Sequence, residues 1–589
     1  MYKNDGKIIK NLFTQTLVFM IMGIVVSTFG MMIDGVIIGN LLGVEQIAAY
    51  GLVSPVFSIF SAIGSVFSNG MQAFAAKYMG KGETDKANKV FSMSILSVEI
   101  VAIITAVLCV IFLDQIAVLL GATGESAHLA GEVKQYFVGL IIGLPFIVGV
   151  SNLSPIMQLD GDRGRAFMST IVMTSVNITL DLMNVYVFKF GMFGMALATT
   201  ISYFCAFVTL LLHFKKKNIM FKFTMQKIDF TEMAGVVGLG LPGATSILCT
   251  TFRSYSINQI LLSISGSSAI AAFSVKNSLT SLLSSYSLGI GMTTLMLAGI
   301  VLGEEDKSNV HHLLKTAMKY AILGTGLIAI VTFIFASPLA MLFLDAENVE
   351  TLSLAVRCIR FHTVSMPLYS MIYVIMNFMQ GTKNVKMAHT VCILDNFVYI
   401  VALAAVLGFS FGTDGVWVAF PLTEVAMCLT LLIIVWVKNK KFPNDIMAFA
   451  FLPKNFGADE EAVLEMSISN IEDVITLSKE TEKFCKQHGA DKHRTYLLAL
   501  AVEEMAGNVI EYGFTDGKKH NMELRLVKKN DDYIIRIRDD CKAFNPLKQL
   551  ELTDKNDPFS NIGIRMISKM AKNFEYVNTM KINNLIIRV

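Results

Sequence analysis

Charged side chains are scarce between residues 12 and 437 and become dense only after Val437, in a chain of 589 residues. They make up 16% of the sequence against 54% hydrophobic residues, with a mean hydropathy of +0.58, which excludes an ordinary water-soluble globule. Cysteine is also sparse. Of the eight present, Cys109, Cys205, Cys249, Cys358, Cys392 and Cys428 fall in apolar runs, while Cys485 and Cys541 lack metal-ligand spacing, so packing is their expected role. A net charge of +3 is too small to imply a nucleic-acid partner. The first apolar run is too long for a signal peptide and has no small-residue cleavage site, so no cleaved leader is expected.

What the apolar part does contain is a repeat. GNLLGVEQIAAYGLVSPVF from Gly39 returns in degenerate form as LSISGSSAIAAFSVKNSLT from Leu262, Gly70-Met71 returns as Gly291-Met292, and GKGETDKAN from Gly80 as LGEEDKSN from Leu302. The offset stays near 221–223 residues. A duplicated membrane domain, with both copies running the same way, is the mark of a transporter whose halves flank a central pathway.

Apolar runs long enough to cross a ~30 Å hydrocarbon layer number about twelve. They lie near 12–37, 48–75, 90–113, 134–157, 166–188, 191–214, 232–264, 269–300, 314–337, 358–380, 387–408 and 414–437. The expected fold is mainly α: twelve transmembrane helices in two six-helix bundles, 1–220 and 221–440, then a linker at 441–457 and a small α/β sandwich domain at 458–589. Cations cluster at Lys3, Lys7 and Lys10, at 77–89, at Arg163 and Arg165, at 215–217 with Lys222 and Lys227, at 307–319, at Lys383 and Lys386, and at 438–441. These are both ends and every second connection of the membrane part, so the positive-inside rule puts both termini in the cytoplasm of a multi-pass plasma-membrane protein.

An ionisable group inside a span is costly and marks function by default. Asp34 lies in the first span and Asp181 in the fifth, with Asn177 one turn before it on the same face, and Thr199 lies in the sixth. Counted from the helix ends at 1.5 Å per residue, Asp34, Asp181 and Thr199 sit roughly 10–12 Å below the outer surface. Oxygen ligands at one level make a cage for a hard cation such as sodium, and burial also lets a carboxylate take a proton instead. Arg253, Lys276, Asp395 and Glu424 are further charges in the second half. They read either as structural pairs or, for Arg253 and Lys276, as attractors of an anion.

Residues 10–440 resemble the multidrug and toxic compound extrusion family. The resemblance rests on MMIDGVIIGNLLG at Met31, the GxGExxKA-like loop at Gly80, NITLDLMNVYVFKFGMFGMALATTIS from Asn177 and DGVWVAFPLTE from Asp414. It implies alternating access by two six-helix bundles, and export of small organic, often cationic, compounds in exchange for sodium or protons. The family's first-lobe cation site maps onto Asp34, Asn177, Asp181 and Thr199. The seventh span reads TTFRSYSINQ, with no carboxylate where some members carry one. A related branch that flips lipid-linked sugars has a similar architecture and is the alternative within transport.

The tail reads as a strand at VLEMSIS, helices at NIEDVITLSKETEKFCKQHG and KHRTYLLALAVEEMAGNVIEYGF, paired strands at MELRLVKK and YIIRIRDD, a helix at FSNIGIRMISKMAKNF and two last strands, with helices on one face of a mostly antiparallel sheet. It resembles the GHKL ATP-binding fold, nearest to anti-sigma-factor serine kinases. By that resemblance Asn508 of EEMAGN holds Mg2+, Glu504 activates a hydroxyl or water, Asp539 receives the adenine amino group of ATP, and Gly563 belongs to the second glycine box. Cys541 and Ala543 replace both glycines of the first box, and Asn561 the first glycine of the second. The resemblance further implies an anti-anti-sigma-like protein partner. A membrane-tethered serine kinase, with the transporter part as sensor, is the alternative of a different class.

Overall fold

The computed structural model describes residues 4–120, 129–216, 219–224, 230–344, 348–382, 384–453, 455–552 and 561–589. Lys3, Lys217, Lys227 and Lys383 of the cationic clusters, and Phe559-Ser560 at the start of the expected tail helix, lie outside these residues.

The first six membrane helices are α1 (Lys7–Ile37), α2 (Val44–Lys81), α3 (Thr84–Ile111), α4 (Ala130–Leu159), α5 (Arg163–Met183) and α6 (Gly191–Leu211). The segment Met233–Glu304 holds the next two, α7 (233–265) and α8 (267–304), joined at Gly266 with φ 67° and ψ −153°, a backbone conformation for which a side chain would be a burden. Then come α9 (Lys307–Ile334), α10 (Val349–Gly381), α11 (Val385–Phe411) and α12 (Thr413–Asn439). Ten described helical segments have the length and apolarity of a membrane span, one being the doubled Phe230–Glu304. The 33-residue α10, more polar through Arg357, Arg360 and His362, completes the twelve. Short π turns interrupt α11 at Leu394–Tyr399 and extend α5 at Asn184–Phe188.

The two bundles meet closely along α2 and α8. A Cβ on Gly80 would run into the Ile300 carbonyl, and one on Gly303 into that of Lys77. Glycine here lets two helix backbones touch, the small-residue packing common between membrane helices.

The tail forms one five-stranded antiparallel sheet in the order β1-β2-β3-β5-β4, from β1 (Val463–Ile468), β2 (Met522–Lys529), β3 (Asp532–Asp539), β4 (Asn573–Thr579) and β5 (Ile582–Arg588). Strand alternation gives it two faces. Met466, Leu524, Leu526, Ile535, Ile537 and Ile587 share a core with α13 (Ile471–Gln487), α14 (Lys492–Asn508) and a short helix, α15 (Ile562–Met570). Asn470 opens α13 with a reciprocal capping box to Asp473, and Asp491 caps α14.

The other sheet face, alternately polar in sequence, rests on the membrane part. Arg538 pairs with Glu304 of α8 at 2.8 Å and with Glu523 at 2.5 Å, while Arg536 reaches Glu304 at 3.3 Å. Arg525 pairs with Glu465 at 2.9 Å and lies 3.9 Å from Asp306, which also caps α9 through the Asn309 amide. Glu304 and Asp306 are each only 2% exposed at the side chain. The first bundle joins in as well. The Met580 amide donates to the Leu159 carbonyl at 3.1 Å, Arg163 donates to the Met580 carbonyl at 3.2 Å, and Gly82 packs against Glu575 and Ile586. The N-terminal Asn4 donates to Glu523 at 3.3 Å. In the linker, Ala450, Phe451 and Phe456 are buried in the core of the membrane part.

Candidate functional site

In the first bundle, Asp34 of α1, Asn177 of α5 and Thr199 of α6 line one cavity of about 210 Å³, and Asp181 stands directly behind Asn177. The one-turn spacing on α5 lets the Asn177 amide donate to Asp181 Oδ2 at 2.9 Å. The two carboxyl groups are within hydrogen-bonding reach of one another. Asp181 is 1% exposed, yet its Oδ1 and that of Asp34 are buried without a hydrogen-bond partner. Buried polar atoms are nearly always satisfied, so an orphan carboxyl oxygen on Asp34 in the cavity wall and another on Asp181 behind it form a donor set that suits a cation or a proton. All four residues expected from the sequence therefore come together.

The same cavity is ringed by Tyr50, Tyr136 and Tyr203, none of which sequence reasoning selects. Tyr50 and Tyr136 meet edge-on with ring centroids 5.6 Å apart, and the Tyr136 hydroxyl reaches Thr199. Tyr203 follows Thr199 by one helical turn, which is the available signal for it. Glu99 in α3 is passed over too, although a lone carboxyl within SILSVEIVAII is the same signal that singles out Asp34. It packs against Gly149, with Oε1 buried and unpartnered.

A larger cavity, about 630 Å³, lies mainly in the second bundle and reaches α1 and α2 at Ile24, Ser65 and Asn69. Arg253, Lys276, Asp395 and Glu424 all border it. Among the described residues no close ion pair joins either cation to either acid, although the Arg253 charge acts on both Asp395 and Glu424.

In the tail, Glu504 and Asn508 sit on the last turns of α14, and the Glu504 carboxyl lies where a Cβ on Gly563 would be, so glycine leaves room for it. Asp539, at the end of β3 and 4% exposed, accepts from Asn583 at 2.7 Å and from the Cys541 amide at 3.0 Å, both on Oδ1. Burial raises its pKa. Asn561, standing for a glycine, adopts φ 55°, a left-handed conformation that asparagine tolerates better than most residues. Cys541 instead puts a thiol against Gly513. The residues fit recognition of a nucleotide base through Asp539 better than a glycine-lined phosphate loop.

Comparison with known proteins bears on this arrangement. The MatE family model matches residues 11–183 and 230–406, and a histidine kinase-like ATPase domain model matches 469–589. The chain is similar to the probable multidrug resistance protein YoeA of Bacillus subtilis, 23% identical over 441 residues, covering 72% of this chain and 93% of that one. It is similar to the multidrug export protein MepA of Staphylococcus aureus, 23% identical over 432 residues with the same two coverages. Among solved structures, an outward-facing multidrug resistance MATE transporter superposes with a TM-score of 0.68 at 22% identity, over 73% of this chain and 95% of that one. A variant of a Vibrio cholerae MATE transporter gives 0.68 at 18% identity, over 76% and 99%.

Proposed function

The chain belongs to the MatE family, with a histidine kinase-like ATPase domain at its C-terminus, and on that premise we propose that it exports small organic compounds across the plasma membrane in exchange for sodium or protons. The observation that carries this reading is the convergence of Asp34, Asn177, Asp181 and Thr199 on two orphan carboxyl oxygens. Ion or proton entry there neutralises charge that the apolar surroundings penalise, so occupancy and conformation become linked. Efflux from proteoliposomes under separate sodium and proton gradients tests it. The expected result is loss of gradient-driven efflux in both Asp34→Asn and Asp181→Asn. Undiminished efflux in both overturns the assignment.

The tail is proposed to regulate transport. It touches the first bundle at Leu159, Arg163 and Gly82 and the second at Glu304 and Asp306, so docking favours the state in which the two bundles are closed at that end. Asp539 would hold the adenine amino group, with Asn508 and Glu504 near the phosphates and Mg2+. This arrangement favours nucleotide sensing over turnover, because Cys541 and Ala543 crowd the glycine positions. ATP binding to the full chain that disappears in Asp539→Ala supports this. Equal binding in that variant contradicts it.

A further inference from the structure

The 630 Å³ cavity has the size of a small-molecule site and an unusual charge pattern. Lys276 is 4% exposed and borders the cavity, yet among the described residues no carboxylate lies within ion-pair distance of its ammonium. Its nearest charge-complementary surfaces are the faces of Phe273 and Phe420, each 4.5 Å from the ring centroid. Two aromatic faces offset part of the cost of burying an ammonium, and an oxyanion would offset more. Arg253 on α7 opens into the same space, also without a carboxylate partner among the described residues. The two acids do not supply the missing charge. Asp395 and Glu424 lie within hydrogen-bonding reach of one another, and Asp395 Oδ1 and Glu424 Oε2 are buried with no partner. Two neighbouring buried carboxyls disfavour each other's charge, so full neutralisation of both cations by this pair is opposed.

We propose that this cavity binds an amphipathic organic anion, with a carboxylate, sulfonate or phosphate ester between Lys276 and Arg253 and an apolar body against Phe420, Tyr369 and Met292. The inference deepens the export reading by naming a substrate class opposite in sign to the organic cations first expected. It rests on that reading for its biological purpose only.

The test is equilibrium binding to the full chain in lipid nanodiscs, without any gradient, using a size-matched pair of probes, naphthalene-2-carboxylate and naphthalen-2-ylmethylammonium. The carboxylate is expected to bind at least about tenfold more tightly than the ammonium. Lys276→Met, which keeps side-chain length and removes the charge, and Arg253→Gln should each weaken the carboxylate by about tenfold or more and leave the ammonium unchanged. Lys276→Arg should largely restore carboxylate binding. If Lys276→Met does not yield folded protein, Arg253→Gln, at a half-buried position, decides alone. Ammonium binding as tight as carboxylate binding, or carboxylate affinity unchanged in the folded variants, overturns the proposal, as does absence of carboxylate binding to the wild type. Anion binding to a wild-type chain that shows no gradient-driven efflux in proteoliposomes overturns the export reading and leaves this one standing.

Discussion

Replacing Arg538 by methionine should release the tail from the membrane part. Arg538 and Glu304 are 7% and 2% exposed at the side chain, and the same guanidinium also holds Glu523, itself 5% exposed. Removing it leaves Glu304 with Arg536 alone at 3.3 Å, and Glu523 with the weaker Asn4 donor at 3.3 Å and the Ile8 amide at 3.4 Å. Breaking one partner of a buried pair costs about 3–5 kcal/mol, since the remaining charge stays desolvated. At about 1.4 kcal/mol per decade this is a shift of roughly 10² to 10³-fold or more in the docking equilibrium. The Met580 amide reports it, because its hydrogen bond goes across the interface to Leu159 rather than along the sheet. Hydrogen exchange at Met580 should therefore speed up by about that factor, down to the limit set by a free tail, while β2 and β3 amides stay protected. Adding Glu304→Gln to Arg538→Met should cost less than the sum of the two single changes, because the orphan carboxylate is gone. Exchange at Met580 within about threefold of wild type in Arg538→Met, with the sheet intact, would refute the reasoning.

Docking should also depend on pH. Glu465 has its pKa pushed up to about 7, first by burial and then by Asp306, against the pull of Arg525. Burial raises Glu523 as well. An acid with a higher pKa docked than free takes up a proton on docking, so docking should strengthen as pH falls toward the ordinary carboxylate range and weaken as pH rises through about 7. Asp306 acts in the opposite sense. Burial opposes its charge, but Arg525 and Arg538 win and hold it below its ordinary 3.8, so its contribution is lost only at still lower pH. A fluorophore pair across the interface should report tightest docking in the mildly acidic range, and a pH-independent signal would count against the account. In the bundle contact, Gly303→Leu should lower the thermal midpoint by several degrees, about 1–3 kcal/mol or more of overpacking, whereas Gly238→Ala, which meets open space, should not.

The sequence shows the twelve spans clearly because long apolar runs have few other uses. Even the break expected between 264 and 269 falls at Gly266, where positive φ ends one helix and starts the next. The π turns at Asn184–Phe188 and Leu394–Tyr399 leave no such trace, since a single extra residue per turn alters no periodicity that composition reveals. In the tail, alternation of Glu523, Arg525, Arg536 and Arg538 with apolar neighbours identifies strands. It cannot tell a solvated face from one neutralised by Glu304 and Asp306 some 220 residues earlier, because partners so far apart share no local pattern. Asp34, Asn177 and Asp181 are legible because a carboxyl in a span has few structural excuses. The tyrosines around them are not, since aromatic residues are ordinary in apolar helices.

A proton and sodium titration of the purified full chain, following proton release as sodium is added and sodium binding as pH is varied, probes the Asp34–Asp181 site itself. A site at which sodium, a proton or both in competition bind is expected, and it should disappear in Asp34→Asn and in Asp181→Asn. Titrations of both variants that superimpose on the wild type would contradict it.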